Sequence, residues 1–269
     1  MTRTETILET AITAATAGGT VALENFDTDL AVDSKGGPDE AMGPADVVTE
    51  ADRETQRRVV SVLIEADPTA AIVGEENDAR KTVPETGRAW VIDPIDGTFN
   101  FIRGLHYWTT SVAATVDGEP VVACSVLPAL DRMYTASDSS AFLDETAISV
   151  SDRPAGESTT VAPIIPPSYG ERAAYSGGVG ELVEQFGSTV RYCSAQATLA
   201  LIARGALDGA VTPQRPRPWD SLAGVQLIRQ AGGVVTDLDG ERWTVNSDSM
   251  VASNGRIHEQ LLEAAQELR

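Results

Sequence analysis

Lysine is nearly absent from this chain of 269 residues: Lys35 and Lys81 are its only lysines, and arginine carries the rest of 20 basic charges set against 40 acidic ones. Cysteine is equally scarce. Cys124 and Cys193 stand far apart and outside any CxxC pattern, which argues against a disulfide framework or a structural zinc site, and both read as buried apolar residues. No apolar run approaches the roughly 18 residues of a membrane span. The opening MTRTETILET is too polar and acidic for a signal peptide, so a cytoplasmic location is expected. The net charge of -20 repels nucleic acid and anionic lipid, and neither is an expected partner. Acid spread along the whole chain, with arginine as the main base, fits a surface adapted to high salt, where repulsion is screened over a few ångströms. The plainer alternative is an ordinary acidic protein from a GC-rich genome.

Helical and strand patterns alternate around a polar stretch, Lys35 to Pro44 (KGGPDEAMGP), that reads as a loop. Before it, Thr4 to Phe26 places Ile7, Leu8, Ala11, Ile12 and Ala15 at helical spacing. After it, Thr49 caps a second helix through a TxxD box with Asp52, and Val59, Val60, Leu63 and Ile64 supply the buried face. The runs AAIVG, RAWVID, TSVAATV and PVVACSVL, the last two joined by Asp117-Gly118, predict an antiparallel meander. From Phe142 the pattern changes to TTVAPII, GELVEQF, AQATLALIARG, GAVTP, SLAGVQLIRQA, a GGVVTDLDG hairpin, MVAS and HEQLLEAAQEL. The expected class is α/β (α+β) in two halves sharing an interface, residues 1–141 with a mostly antiparallel sheet and residues 142–269 with a mixed one.

Chemistry concentrates at Trp90 to Phe101, WVIDPIDGTFNF. Aspartate is depleted in strands, and two carboxylates brought together in a buried place call for a positive group between them. A strand ending in DPID is expected to throw Asp93 and Asp96 into one tight turn. There Pro94 fixes the backbone and the Ile95 carbonyl adds a third hard oxygen for a hard cation. Gly97 permits close backbone approach, and the amides of Gly97 and Thr98 suit a phosphate oxygen. Alone, this is also the sequence of a plain turn. Other acids end regular elements too: Glu75 and Glu76 after AAIVG, Asp46 with Thr49 and Asp52 in ADVVTEAD, and Asp220 after Trp219. Each has an ordinary reading as a cap or a solvated strand end. Converging, they suit two or three divalent cations and phosphate ester hydrolysis.

The series GEE, WVIDPIDGTFNF and WDSLAGVQLIRQAGG, in this order and preceded by DVVTEAD, resembles the inositol monophosphatase family over nearly the whole chain, and ALDGAV and MVASN sit where that family has similar stretches. The resemblance implies a five-layer α-β-α-β-α sandwich, usually a homodimer. It also implies magnesium-dependent, lithium-sensitive hydrolysis of a small phosphorylated polyol or sugar, with manganese as a substitute. Carried over by motif, Glu75, Asp93, the Ile95 carbonyl, Asp96 and Asp220 are metal ligands, Asp93 bridging two ions. Asp46 and Thr98 orient the attacking water, and the Gly97 and Thr98 amides hold the phosphate. Residues 1–141 then carry most ligands, and residues 142–269 add Asp220 and the substrate-side loop. His106 and His258 need no catalytic task and read as a structural loop residue and an exposed helix residue.

Substrate choice is where the chain departs from that pattern. Pro213 stands where many members carry a glutamate for a sugar hydroxyl, and Arg215 and Arg217 nearby suit a second phosphate. Cys193-Ser194-Ala195-Gln196 replaces the usual Gly-Ser-Ala-Ala, with Ser194 and Ala195 on the substrate side, and Phe99 replaces a threonine. Archaeal-type members hydrolyse fructose 1,6-bisphosphate as well as inositol 1-phosphate, and both substrates stay open here, as does a 3'-phosphonucleotide. A non-enzymatic calcium-binding module is disfavoured, since no DxDxDG loop occurs and Thr98 beside Asp46 serves no passive ion site.

Overall fold

The computed structural model describes residues 3–28, 32–34, 47–76, 79–138, 140–165 and 172–268; the loop expected at Lys35–Pro44 and the candidate Asp46 lie outside them. The first half contains α1 (Arg3–Asn25), β1 (Val32–Ser34), β2 (Val47–Thr49), α2 (Glu50–Ala66), β3 (Ala71–Gly74), β4 (Arg88–Asp96), α3 (Thr98–Phe101), β5 (Thr109–Val116), β6 (Glu119–Leu127), β7 (Arg132–Ala136), β8 (Ala141–Leu143) and β9 (Thr146–Ile148). Strands β3 to β9 form one sheet in sequence order, so the first half runs past the expected boundary at residue 141 as far as Ile148, and β1 pairs with β2 apart from it. Each neighbouring pair in the large sheet is antiparallel except β3 with β4, which is parallel. The all-antiparallel meander is thereby corrected at its first pair. Residues 75–87 supply the long return that a parallel pair requires.

The second half contains β10 (Thr160–Pro163), α4 (Arg172–Gln185), β11 (Ser188–Thr189), α5 (Ala195–Ala203), β12 (Gly209–Thr212), α6 (Pro218–Gln230), β13 (Val234–Thr236), β14 (Met250–Ser253) and α7 (His258–Ala265). Its sheet has the order β11-β10-β12-β14-β13 and is mixed: β10 runs parallel to β11 and β12, and β14 antiparallel to β12 and β13.

Side-chain alternation along the strands builds the layers. In β4, Trp90 and Ile92 pack with Ile7, Ala11, Val59 and Leu63 of α1 and α2, while Ala89 and Val91 face Leu199 of α5 and Leu222 and Val225 of α6. In the second sheet Ala162, Ala210 and Ala252 face that same helix pair, and Val161, Val211 and Val251 pack on Leu182 of α4 and Leu261 of α7. The order of layers is therefore α1/α2, first sheet, α5/α6, second sheet, α4/α7. The five-layer α-β-α-β-α arrangement is present.

The 23-residue α1 contains an 18-residue window of mean hydropathy 1.2, long and apolar enough by those measures to cross a membrane, which departs from the expectation of no such run. Its composition has a use within the fold. Ala11, Ala14, Ala15, Gly18, Gly19 and Ala22 form its buried face, and a Cβ at Gly18 would stand 2.4 Å from Val59 Cγ2 of α2. Small residues let the two helices approach closely. The TxxD box at the start of α2 is formed as expected, with the Thr49 N–H donating to Asp52 Oδ2 at 2.8 Å.

Candidate metal centre

The acids of DPID lie within β4 rather than in a turn after it, which corrects the expected tight turn. Asp93 is opposite Ser111 of β5 and Asp96 opposite Thr109, so three steps on one strand match two on the other. The extra residue is a β-bulge at Pro94-Ile95, where proline has no N–H to leave unpaired. Thr110 Oγ1 donates to the Pro94 carbonyl at 2.7 Å. In an unbroken strand, residues three apart point to opposite faces; one inserted residue restores Asp96 to the face of Asp93. Ile95 is turned the other way, into a cluster with Ala22, Ala51, Phe101 and Trp108.

Asp220 comes from across the cleft, in the first turn of α6 behind Pro218. One carboxylate oxygen from each of Asp93, Asp96 and Asp220 lies within 4.8 Å of the others. A cleft of about 130 Å³ opens on them, with Glu75, Ile95, Gly97, Thr98, Ser194 and Ala195 also in its walls. Glu75 is outside that close triad. Gly97 has φ +92°, and a Cβ there would stand 3.0 Å from Ser194 Cβ and 3.2 Å from the Cys193 and Tyr107 carbonyls. Only glycine fits both the left-handed backbone and the space.

Asp93 is 1% exposed and Asp96 7%. Burial pushes the Asp96 pKa up to about 6, and the nearby Glu75 charge adds to the rise; hydrogen bonds from the Ser194 hydroxyl and the Gln196 and Ala195 amides oppose it. Those amides donate at 2.8 Å and 3.1 Å from the first turn of α5, whose N-cap is Ser194. Hard carboxylate and carbonyl oxygens without sulfur or imidazole fit magnesium or manganese. A divalent cation would supply the charge that the buried acids call for.

Thr98 Oγ1 lies 3.1 Å from both Asp52 Oδ1 and the Ile95 carbonyl, and one hydroxyl proton serves either acceptor. Asp52 is fully buried and also accepts from the Thr49 hydroxyl at 2.6 Å. Thr98 is thus anchored through the cap of α2, and Asp46, its expected partner, lies outside the described residues.

Arg215 and Arg217 are not brought into the cleft walls. Arg215 is exposed and turned to the Asn246 carbonyl and to Asp248 at 3.3 Å, and Arg217 is the exposed N-cap of α6. The arginine in the cleft wall is Arg191, which sequence reasoning missed although it stands just before the Cys193-Ser194 stretch. Cys193 is half-buried in the same wall at φ +56°, which corrects its reading as a core residue. Cys124 is buried as expected, its thiol pushed up to about 12 by desolvation. His258 is buried rather than exposed, its ring nitrogens 3.0 Å from Thr236 Oγ1 and 2.8 Å from Ser253 Oγ, while His106 lies against the Phe26 ring.

Comparison with known proteins shows the family and the fold. The model of the inositol monophosphatase family matches residues 3–269. The inositol-1-monophosphatase of Rhizobium meliloti is 34% identical over 226 residues, covering 83% of this chain and 84% of the relative. The fructose-1,6-bisphosphatase/inositol-1-monophosphatase of Thermotoga maritima is 33% identical over 231 residues, covering 84% and 85%. The solved structure of a Thermotoga maritima IMPase superposes with a TM-score of 0.84 at 29% identity, covering 97% of both chains.

Proposed function

The chain belongs to the inositol monophosphatase family of phosphatases, and from that premise we propose that it hydrolyses inositol 1-phosphate and fructose 1,6-bisphosphate with two or three magnesium ions, manganese substituting. The observation that carries this reading is the convergence of Asp93, Asp96 and Asp220 on one cleft from two different layers of the fold. Glu75, Asp93, the Ile95 carbonyl, Asp96 and Asp220 are the proposed ligands. When bound there, the ions polarise the phosphoryl group, activate water and neutralise the leaving oxygen. With its own proton directed to Asp52 or the Ile95 carbonyl, Thr98 presents lone pairs that orient the attacking water, Asp46 completing the pair. The Gly97 and Thr98 amides hold the phosphate, and Ser194 and Ala195 border the substrate.

A second phosphate is favoured by one observation, the guanidinium of Arg191 in the cleft wall. The remaining parts of the reading are a division of labour between the two halves, the first carrying most of the ligands and the second supplying Asp220 and the substrate-side loop, a lithium-sensitive cytoplasmic homodimer and an acidic surface adapted to salt. The test is phosphate release from inositol 1-phosphate, fructose 1,6-bisphosphate and a 3'-phosphoadenosine phosphate, with magnesium and with EDTA. Release from the first two with magnesium and none in EDTA is expected. Full turnover in EDTA would overturn the metal-dependent reading, and release from the nucleotide alone would reassign the substrate.

A further inference from the structure

One of the chain's two lysines is fixed beside the metal centre. Lys81 Nζ donates to the Gly74 carbonyl at 2.9 Å and to the Glu75 carbonyl at 2.7 Å, and it lies 5.5 Å from the centroid of the Trp219 ring. Gly74 ends β3 in the first sheet, while Trp219 belongs to α6 in the middle helix layer and immediately precedes Asp220. A single ammonium therefore bonds the backbone carbonyl of Glu75 and faces the ring of the residue next to Asp220.

Both ends of this contact are held from behind. The Glu76 N–H donates to Gln56 Oε1 at 2.8 Å, and Gln56 Nε2 donates to the Glu76 carbonyl, so α2 grips the peptide following Glu75. On the other side Gln196 Nε2 donates to the Trp219 carbonyl, its Oε1 accepts from the Gly224 N–H at 2.7 Å, and its own N–H donates to Asp96 at 2.8 Å. Contacts thus run from Asp96 through Gln196 and Trp219 to Lys81 and Glu75. Lysine suits the closing position. A compact ammonium with three rotatable donors serves two consecutive carbonyls and still faces a ring, whereas the fork of a guanidinium is planar and fixed. In a chain that uses arginine for nearly every other positive charge, the choice is pointed.

We propose that Lys81 is a positioning residue for the metal centre, holding the backbone of Glu75 against α6 so that Glu75 and Asp220 stay in the walls of one cleft. The inference rests on the metal-dependent reading above. It also runs against the sign of the charge. An ammonium near carboxylates repels a cation, so through charge alone its removal would tighten metal binding.

The test titrates the metal-free protein with manganese alone, followed by calorimetry and by the spin-resonance signal of free manganese, for the natural chain, Lys81→Met and Lys81→Gln. Lys81 is exposed, so neither variant opens a core cavity. Both should bind manganese about three- to tenfold more weakly, the range spanned by the net contribution of an ordinary hydrogen bond, with the metal-free thermal midpoint nearly unchanged. Equal or tighter binding in both variants overturns the proposal. So does a lowered midpoint with unchanged affinity, which would mark Lys81 as a stabilising residue only. Absence of manganese binding to the natural chain would instead overturn the reading of the site, and the inference with it.

Discussion

A carboxylate as buried as Asp93 has given up most of its hydration, and two further carboxylates within reach add repulsion that a proton or a cation relieves. Asp93→Asn removes a charge that the metal needs and the metal-free fold does not. Turnover should fall by more than the roughly 10- to 100-fold typical of outer-shell partners, while the thermal midpoint in EDTA rises. Natural turnover in the variant would remove Asp93 from the ligand set. Arg191 makes a different prediction, because an arginine in the wall gains most from a substrate that brings a second phosphate to it. Arg191→Ala should lower kcat/KM for fructose 1,6-bisphosphate by about 10-fold or more, the cost of one charge-assisted contact, and leave inositol 1-phosphate little changed. Equal losses on both would assign Arg191 to the shape of the wall.

At the scale of elements, His258 offers a stability prediction with a definite sign. It opens α7 and bridges Thr236 of β13 to Ser253 of β14, and burial lowers its pKa below the ordinary 6.5. At neutral pH the ring is uncharged in both folded and unfolded chains. As pH falls through about 6.5 the unfolded chain binds the proton first, so this contribution to stability is lost on the acid side. His258→Asn should be less stable at pH 8, and the gap to the natural chain should narrow between pH 7 and pH 5 in urea melts of the metal-free protein. A constant gap would mean that His258 is not buried in its neutral form. The sequence signals that proved sound were local ones: the TxxD box at Thr49, the Asp117-Gly118 turn, where φ is +52° and +81°, and the strand run RAWVID in β4. The bulge at Pro94-Ile95 was not legible, because an extra residue in β4 is defined only against Ser111 and Thr109 of its partner. The parallel pairing of β3, the burial of His258 and the choice of Arg191 over Arg215 likewise depend on residues distant in sequence. The acids of the site were legible as a set of motifs; the contacts that hold them, through Asp52, Gln196 and Lys81, were not.

For the whole molecule, composition and architecture make opposite demands on salt. The two halves are joined across the surface by a few ion pairs, the best formed being Arg242 with Glu119, whose two contacts are 2.9 Å and 2.6 Å, with Arg229 at 3.7 Å from the same carboxylate. Salt weakens such exposed pairs, but each is worth only about 0–1 kcal/mol. Against them stands a net charge of -20 confined to one compact body, whose self-repulsion grows with every unpaired carboxylate and falls as the screening length shrinks from about 10 Å at 0.1 M to 3 Å at 1 M. The many-body repulsion outweighs the few attractive pairs, so stability should increase with salt. The thermal midpoint of the metal-free protein is expected to rise by several degrees between dilute and molar potassium chloride, an amount corresponding to roughly 1–2 kcal/mol for a chain of this size. Replacing Glu119 with Gln should leave that rise in place, because it deletes the salt-weakened pair and one acidic charge together. A flat or falling midpoint would mean that the acidic composition carries no adaptation to salt and that local ion pairs set the response.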